Sequence, residues 1–228
     1  MKKEKGGNKV TIKKIRSLSD INAFNANNFR DLRMNIEQQL KYKKEKFVVV
    51  TSSNQGEGKS YCAYRIALSF SEVNKRVLLI DFDLHRPRLS KDLGYRQMGI
   101  AAIYEDEVAI QECLFPVAEN IDFLPSGYVP LNPSEIVSSK QVYQEIYSLA
   151  EKYDIIIIDC PPVLMSPDTK VIISEFRNVL FIVGSNKTRS HNIVEAFDRL
   201  KLINPTILGM VLNMKQFSKK ERTRYEYK

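Results

Sequence analysis

Three groups of residues have the types and spacing to handle a polyphosphate and its counter-ion. The first is Gly58-Lys59-Ser60, reached through the polar loop Asn54-Gln55-Gly56-Glu57 and followed by Tyr61. Such a loop offers backbone N–H groups to phosphate oxygens, a lysine that reaches the β- and γ-phosphates, and a hydroxyl suited to Mg²⁺. The second group is Asp81 with Asp83, and the third is Asp159. Two carboxylates so close repel each other unless a cation or a proton shares the site. Beside a phosphate loop that cation is Mg²⁺, which takes few protein oxygens and keeps several waters. An aspartate closing an apolar strand in such a protein acts on the metal or its waters, so Ser60, Asp81, Asp83 and Asp159 form the expected metal set. The glycine that usually opens the loop, five residues before Gly58, is here Ser53. The loop alone is therefore an ambiguous sign, and the acidic groups carry the rest of the reading.

Each group sits where an apolar run ends. Phe47–Val50, Val77–Ile80 and Ile155–Ile158 are short and unbroken, the pattern of parallel strands buried on both faces. After Ser60 the spacing of Ile66, Ala67 and Phe70 predicts a helix. A short strand is expected at Ile121–Leu124, then a Pro- and Gly-bearing loop over 125–133. Asn132-Pro133-Ser134-Glu135 supplies capping residues and an acidic first turn for a helix from about Ser134 to Lys152. Two more strands, Val179–Val183 and Ile207–Leu212, flank a helix bearing Ile193, Phe197 and Leu200. The second ends at Asn213, which either reads an adenine ring at the ligand edge or forms a turn. Residues 84–120 carry little pattern beyond His85-Arg86-Pro87-Arg88, a helix around Ile100 and Ile103, and the acidic run Glu105-Asp106-Glu107. At least six strands alternating with helices predict an α/β P-loop NTPase fold. It is a doubly wound, mostly parallel sheet with helices on both faces, binding ligands at the strands' C-terminal edge.

At 228 residues and 43% apolar composition, one domain with a substantial core is expected. No apolar run approaches the ~18–20 residues that cross a bilayer, and no signal peptide opens the sequence, so a soluble, cytoplasmic protein is expected. Cys62, Cys113 and Cys160, odd in number and without metal-ligand spacing, argue against a disulfide framework and for a reducing compartment. Charge is unevenly spread: residues 1–46 hold 13 Lys/Arg against 5 Asp/Glu, and 215–228 hold 6 against 2. Those basic ends are either solvated tails or attracted to an anionic membrane face or acidic partner, at about 1 kcal/mol per basic residue near such a surface. Nucleic acid is not expected, because neither end interleaves basic and aromatic residues as a stacking platform does. Residues 1–18 are expected to lack fixed structure, 19–214 to form the domain, and 215–228 to be a basic tail. A helix from about Asp20 to Lys41 (within 19–45) puts Phe29, Leu32, Ile36 and Leu40 on one stripe, with Arg30 and Arg33 beside it. It either packs on the domain or contacts a neighbouring subunit.

The strings TSSNQGEGKS, VLLIDFD, LPSGYVPLNPSE, IIIIDCPP and LGMVLN, in that order, resemble the bacterial tyrosine kinases of capsule and exopolysaccharide synthesis over residues 19–214. That family resembles the deviant P-loop ATPases of plasmid partition and division-site placement. Partition ATPases carry a lysine four residues before the glycine of Gly-Lys-Ser, where this chain has Asn54. The resemblance implies an ATP- and Mg²⁺-dependent protein-tyrosine autokinase that releases ADP and regulates polysaccharide synthesis. By it Lys59 and Ser60 are the phosphate lysine and metal-binding hydroxyl, and Asp81 activates the acceptor tyrosine. Asp81 and Asp83 both lie near the metal, with Asp159 as the third acidic motif. Tyr225 and Tyr227 are the implied acceptors, phosphorylated in trans within a ring whose contacts include Arg30 and Arg33. The implied partners are the cytoplasmic tail of a transmembrane polysaccharide co-polymerase adaptor, which holds the kinase at the inner membrane face, and a phosphotyrosine phosphatase. Asn27 stands where the family has a contact glutamate, Gln55 where it has a proline and Arg65 where it often has an asparagine. His85 stands where it has an arginine, with Arg86 or Arg88 as substitutes. Two alternatives stay open: a nucleotide-binding regulatory subunit of a polysaccharide export complex with little kinase activity, and a partition-type ATPase.

Overall fold

The apolar runs become the middle of a seven-stranded sheet. The computed structural model describes residues 23–43 and 45–217; segment 1–18 and the tail tyrosines Tyr225 and Tyr227 lie outside the described residues. The helices are α1 (Ala23–Lys43), α2 (Lys59–Ser71), α3 (Arg88–Leu93), α4 (Ile100–Glu105), α5 (Pro133–Val137), α6 (Lys140–Leu149), α7 (Asp168–Phe176) and α8 (Ser190–Lys201). The strands are β1 (Phe47–Ser52), β2 (Val77–Asp81), β3 (Phe115–Ala118), β4 (Ile121–Leu124), β5 (Ile155–Asp159), β6 (Asn178–Gly184) and β7 (Thr206–Asn213). Their spatial order is β3-β4-β2-β5-β1-β6-β7. All neighbours pair in parallel except β3 with β4.

The runs read as unbroken because both sides of the sheet are covered. On β5, Ile156 and Ile158 enter one core with α4 to α8, while Ile155 and Ile157 enter the other with α1 and α2. The α1 stripe lies on this second core: Ile36 and Leu40 are buried, and Phe29 and Leu32 pack against it. Among the described residues no helix is long and apolar enough to cross a membrane, and all three cysteines are free and buried.

The sheet order also creates the site. The chain leaves β1 toward β2 on one side and returns through β5 to β6 on the other, so β1 lies at a topological switch point. In the β2–β5 ladder Asp81 stands directly beside Asp159, and Asp159 in turn faces Val50 of β1, the strand that feeds the phosphate loop. Register, rather than loop geometry, brings the acidic strand ends together.

One expectation is corrected, and one strand has no counterpart among those expected from sequence. The helix expected over 134–152 is broken into α5, α6 and a 3₁₀ turn, Ala150–Lys152. The break falls at Ser138-Ser139, where Ser139 is extended and Ser138 Oγ donates to the Ser134 carbonyl (2.8 Å); serine hydroxyls compete for the backbone in this way. The strand β3 escaped notice because it is four residues long and contains Pro116, tolerable only on an edge. Replacing buried Ile36 with Ala should cost about 2–4 kcal/mol in chemical denaturation. The same change at exposed Met34 on the same helix should stay within about 0.5 kcal/mol.

Candidate functional site

Residues 53–58 form the turn between β1 and α2. Gly58, directly before α2, has φ +87°, the left-handed region open to glycine at low cost. A Cβ there would also stand 2.0 Å from Asn213 Nδ2. That amide donates to the Glu57 carbonyl (3.0 Å). The Glu57 side chain, 1% exposed, turns inward and accepts from Asn54 N–H (3.0 Å) and Thr188 Oγ1 (2.6 Å). Lys187 Nζ donates to the Gly56 carbonyl (2.8 Å). The loop is thus held from behind by the β6–α8 connection and the end of β7. Asn213 and Glu57 act here as braces and do not line the cavity.

In front of the loop lies a cavity of about 750 Å³, lined by Gln55, Gly56, Gly58, Lys59, Ser60, Tyr61 and Asp83 of the expected set. Lys59 is buried, with Nζ 3.2 Å from Asp83 Oδ2 and 3.5 Å from Asp159 Oδ1. Burial disfavours its ammonium, but Asp159, Asp83 and Asp81 together outweigh this and raise its pKa. Asp159 is fully buried and its carboxylate oxygens have no hydrogen bond of good geometry. Burial raises its pKa, while Lys59 and the nearby Ser60 hydroxyl pull it back.

Asp81 is placed differently from its neighbours. It is fully buried and does not line the cavity. Its Oδ2 accepts from Ser90 N–H and Ser90 Oγ (both 2.7 Å), and its Oδ1 accepts from Asp83 N–H (3.2 Å). Burial, then the charge of Asp159, pushes its carboxyl up to about 7. Three carboxylates around one ammonium leave a negative surplus. Among the described residues no three His, Cys, Asp or Glu groups form a preformed metal cage. The bare oxygens of Asp159 next to Ser60 nevertheless fit a cation that brings its own waters.

The β2–α3 loop forms the next wall. His85 Nε2 lies 2.7 Å from Asp168 Oδ2, a nearly buried carboxylate in the first turn of α7. Arg86 Nη1 donates to Gln55 Oε1 (2.6 Å), and Arg88 Nε to Asp92 Oδ2 (2.9 Å). So His85 fastens two loops that border the cavity, and Arg86, of the two arginines, touches the phosphate loop. Thr188, Lys187, Ser90 and Asp168 were not foreseen. Each acts through a contact distant in sequence, and none belongs to a local pattern.

Arg30 and Arg33 are engaged within the chain. Arg30 Nε meets Glu72 Oε2 (2.8 Å) and its Nη1 meets Asn27 Oδ1 (3.0 Å), while Arg33 Nη1 meets Glu37 Oε2 (3.1 Å). The Arg30 pair is about half exposed.

Two outcomes are expected. Gly58→Ala should abolish nucleotide binding in calorimetry, since it adds both φ strain and the clash with Asn213. Asp81 ionises near 3.9 when unfolded but holds its proton to about 7 in the fold. Between those values the native state binds more protons, so its contribution to stability is full below the lower value and is lost as pH rises through the upper one. Thermal denaturation of the nucleotide-free chain from pH 5 to 8 should show a steeper loss in wild type than in Asp81→Asn.

The family model described as AAA domain matches residues 45–175. The tyrosine-protein kinase YwqD of Bacillus subtilis (strain 168) is 29% identical over 205 residues, covering 89% of this chain and 86% of that protein. The tyrosine-protein kinase CpsD of Streptococcus pneumoniae serotype 4 is 30% identical, covering 77% of this chain and 78% of that protein. Among solved structures the BceF tyrosine kinase domain superposes with a TM-score of 0.74 at 27% identity, covering 82% of this chain and 76% of that one. The phosphate loop, the paired strand-end aspartates and these likenesses agree: the chain belongs to the AAA-domain family of P-loop proteins, in the bacterial tyrosine-protein kinase branch that includes CpsD and YwqD.

Proposed function

We propose that the chain is an ATP- and Mg²⁺-dependent protein-tyrosine autokinase serving capsule or exopolysaccharide synthesis. The observation that carries this reading is the buried Lys59 within reach of both Asp83 and Asp159 at the mouth of the phosphate loop. Its ammonium, released from those carboxylates, would pair with the β- and γ-phosphates. Loop N–H groups and the start of α2 would orient the chain of phosphates in line for transfer. Ser60 and Asp159, with Asp83 beside them, would hold Mg²⁺, which supplies charge neutralisation to the phosphoryl group as it is transferred. Asp81, with its raised pKa and position beside Asp159, would serve as the proton acceptor for the tyrosine hydroxyl once a shift of the Ser90 contact frees an oxygen. Asn213, expected as an adenine contact, instead braces the phosphate loop through the Glu57 carbonyl, while its neighbour Met214 lines the cavity.

The acceptors in this reading are Tyr225 and Tyr227, labelled in trans by a neighbouring copy. The half-exposed α1 face with Arg30 and Arg33 is the candidate contact between copies. An adaptor's cytoplasmic tail would recruit the chain to the membrane, and a phosphatase would reset it. Asn54, where partition ATPases have lysine, favours this reading over a partition-type ATPase.

Purified chain given Mg-ATP and adaptor tail should accumulate phosphotyrosine at residues 225 and 227, mapped by mass spectrometry. Lys59→Met should lower the rate at least a hundredfold, on the scale of losing one charge-stabilising group. Equal labelling in wild type and Lys59→Met, or none in either, would refute the kinase.

A further inference from the structure

Beyond the phosphate loop the cavity is walled by two segments from different strand ends. The β2–α3 segment contributes Arg86 and Arg88, and the β5–α7 segment contributes Pro162, Met165 and Pro167. The His85–Asp168 contact ties one segment to the other, so the two are held at a set spacing. Met165 lines this space yet is 58% exposed. A thioether so placed is a receptive surface for an aromatic ring.

The cationic side is equally unfilled. The Arg88 side chain is 73% exposed, with Nε held by Asp92 at 2.9 Å. Among the described residues its two terminal nitrogens have no partner. A guanidinium anchored at Nε presents a preset edge to a carboxylate. Arg86 is less available, since its Nη1 is committed to Gln55.

We propose that these walls form the acceptor subsite and that it selects a tyrosine flanked by an acidic residue. Met165 and Pro162 seat the ring, and Arg88 pairs with the neighbouring carboxylate. This names the substrate class of the kinase site and rests on that reading. The chain itself carries such a segment, Arg224-Tyr225-Glu226-Tyr227-Lys228, with an acid between two tyrosines. Charge complementarity between Arg88 and Glu226 makes a tail of this kind, from a second copy, the fitting occupant.

The test measures binding, so it does not depend on turnover. A fluorescent peptide of residues 222–228 and its counterpart with Glu226→Lys are titrated with full chain loaded with Mg²⁺ and a non-hydrolysable ATP analogue. Wild type should bind the glutamate peptide about fivefold tighter than the lysine peptide, the scale of an exposed ion pair. Arg88→Glu should reverse the order, and both preferences should shrink near 1 M salt, where the Debye length falls to ~3 Å. Met165→Ala should weaken both peptides alike. Equal affinities in wild type, an order unchanged by Arg88→Glu, or no binding of either peptide would overturn the subsite. Failure of the kinase reading would appear instead as missing phosphotyrosine, with these binding preferences still readable.

Discussion

One buried ammonium holds this site together. Lys59 lies out of water in a place where burial alone would favour its neutral form, and it stays charged because Asp83 and Asp159 stand 3.2 and 3.5 Å away. Asp159 depends on it in turn: fully buried, it has Lys59 and the Ser60 hydroxyl to offset the cost of its charge. A buried ion cluster of this kind adds little net stability. Its use lies in readiness, because a nucleotide with its metal offers both signs of charge the partners they lack.

The rest of the molecule keeps that cluster in register. Parallel pairing sets Asp81 beside Asp159, and the two cores on either face pin β1, β2 and β5, since a slip in register would force both cores to repack at once. Asp81 shows how finely environment divides like residues. Two positions from Asp83, it is enclosed by Ser90 and driven toward its protonated form, whereas Asp83 opens on the cavity.

Most of this architecture could be read from the chain, for a physical reason. Strands buried on both faces write themselves as unbroken runs such as Ile155–Ile158, and a phosphate loop needs its residues contiguous in sequence, so both signals are local. The contacts that tune the site are not. Ser90 reaches back nine residues to Asp81, and Asp168 lies 83 residues from His85. The His85 substitution was visible, but its partner was not. Segment 84–120 stayed opaque because its elements are only four to six residues long, too short for either period to emerge.

The support behind the phosphate loop has a consequence for how the protein can vary. A connection such as 185–189, on the surface between a strand and a helix, would ordinarily absorb insertions freely. Here Lys187 and Thr188 grip Gly56 and Glu57, so lengthening it would detach the catalytic loop from its backing while leaving every nucleotide-facing residue unchanged. An outwardly unremarkable turn beside α8 is in this way fixed in length by the loop it supports.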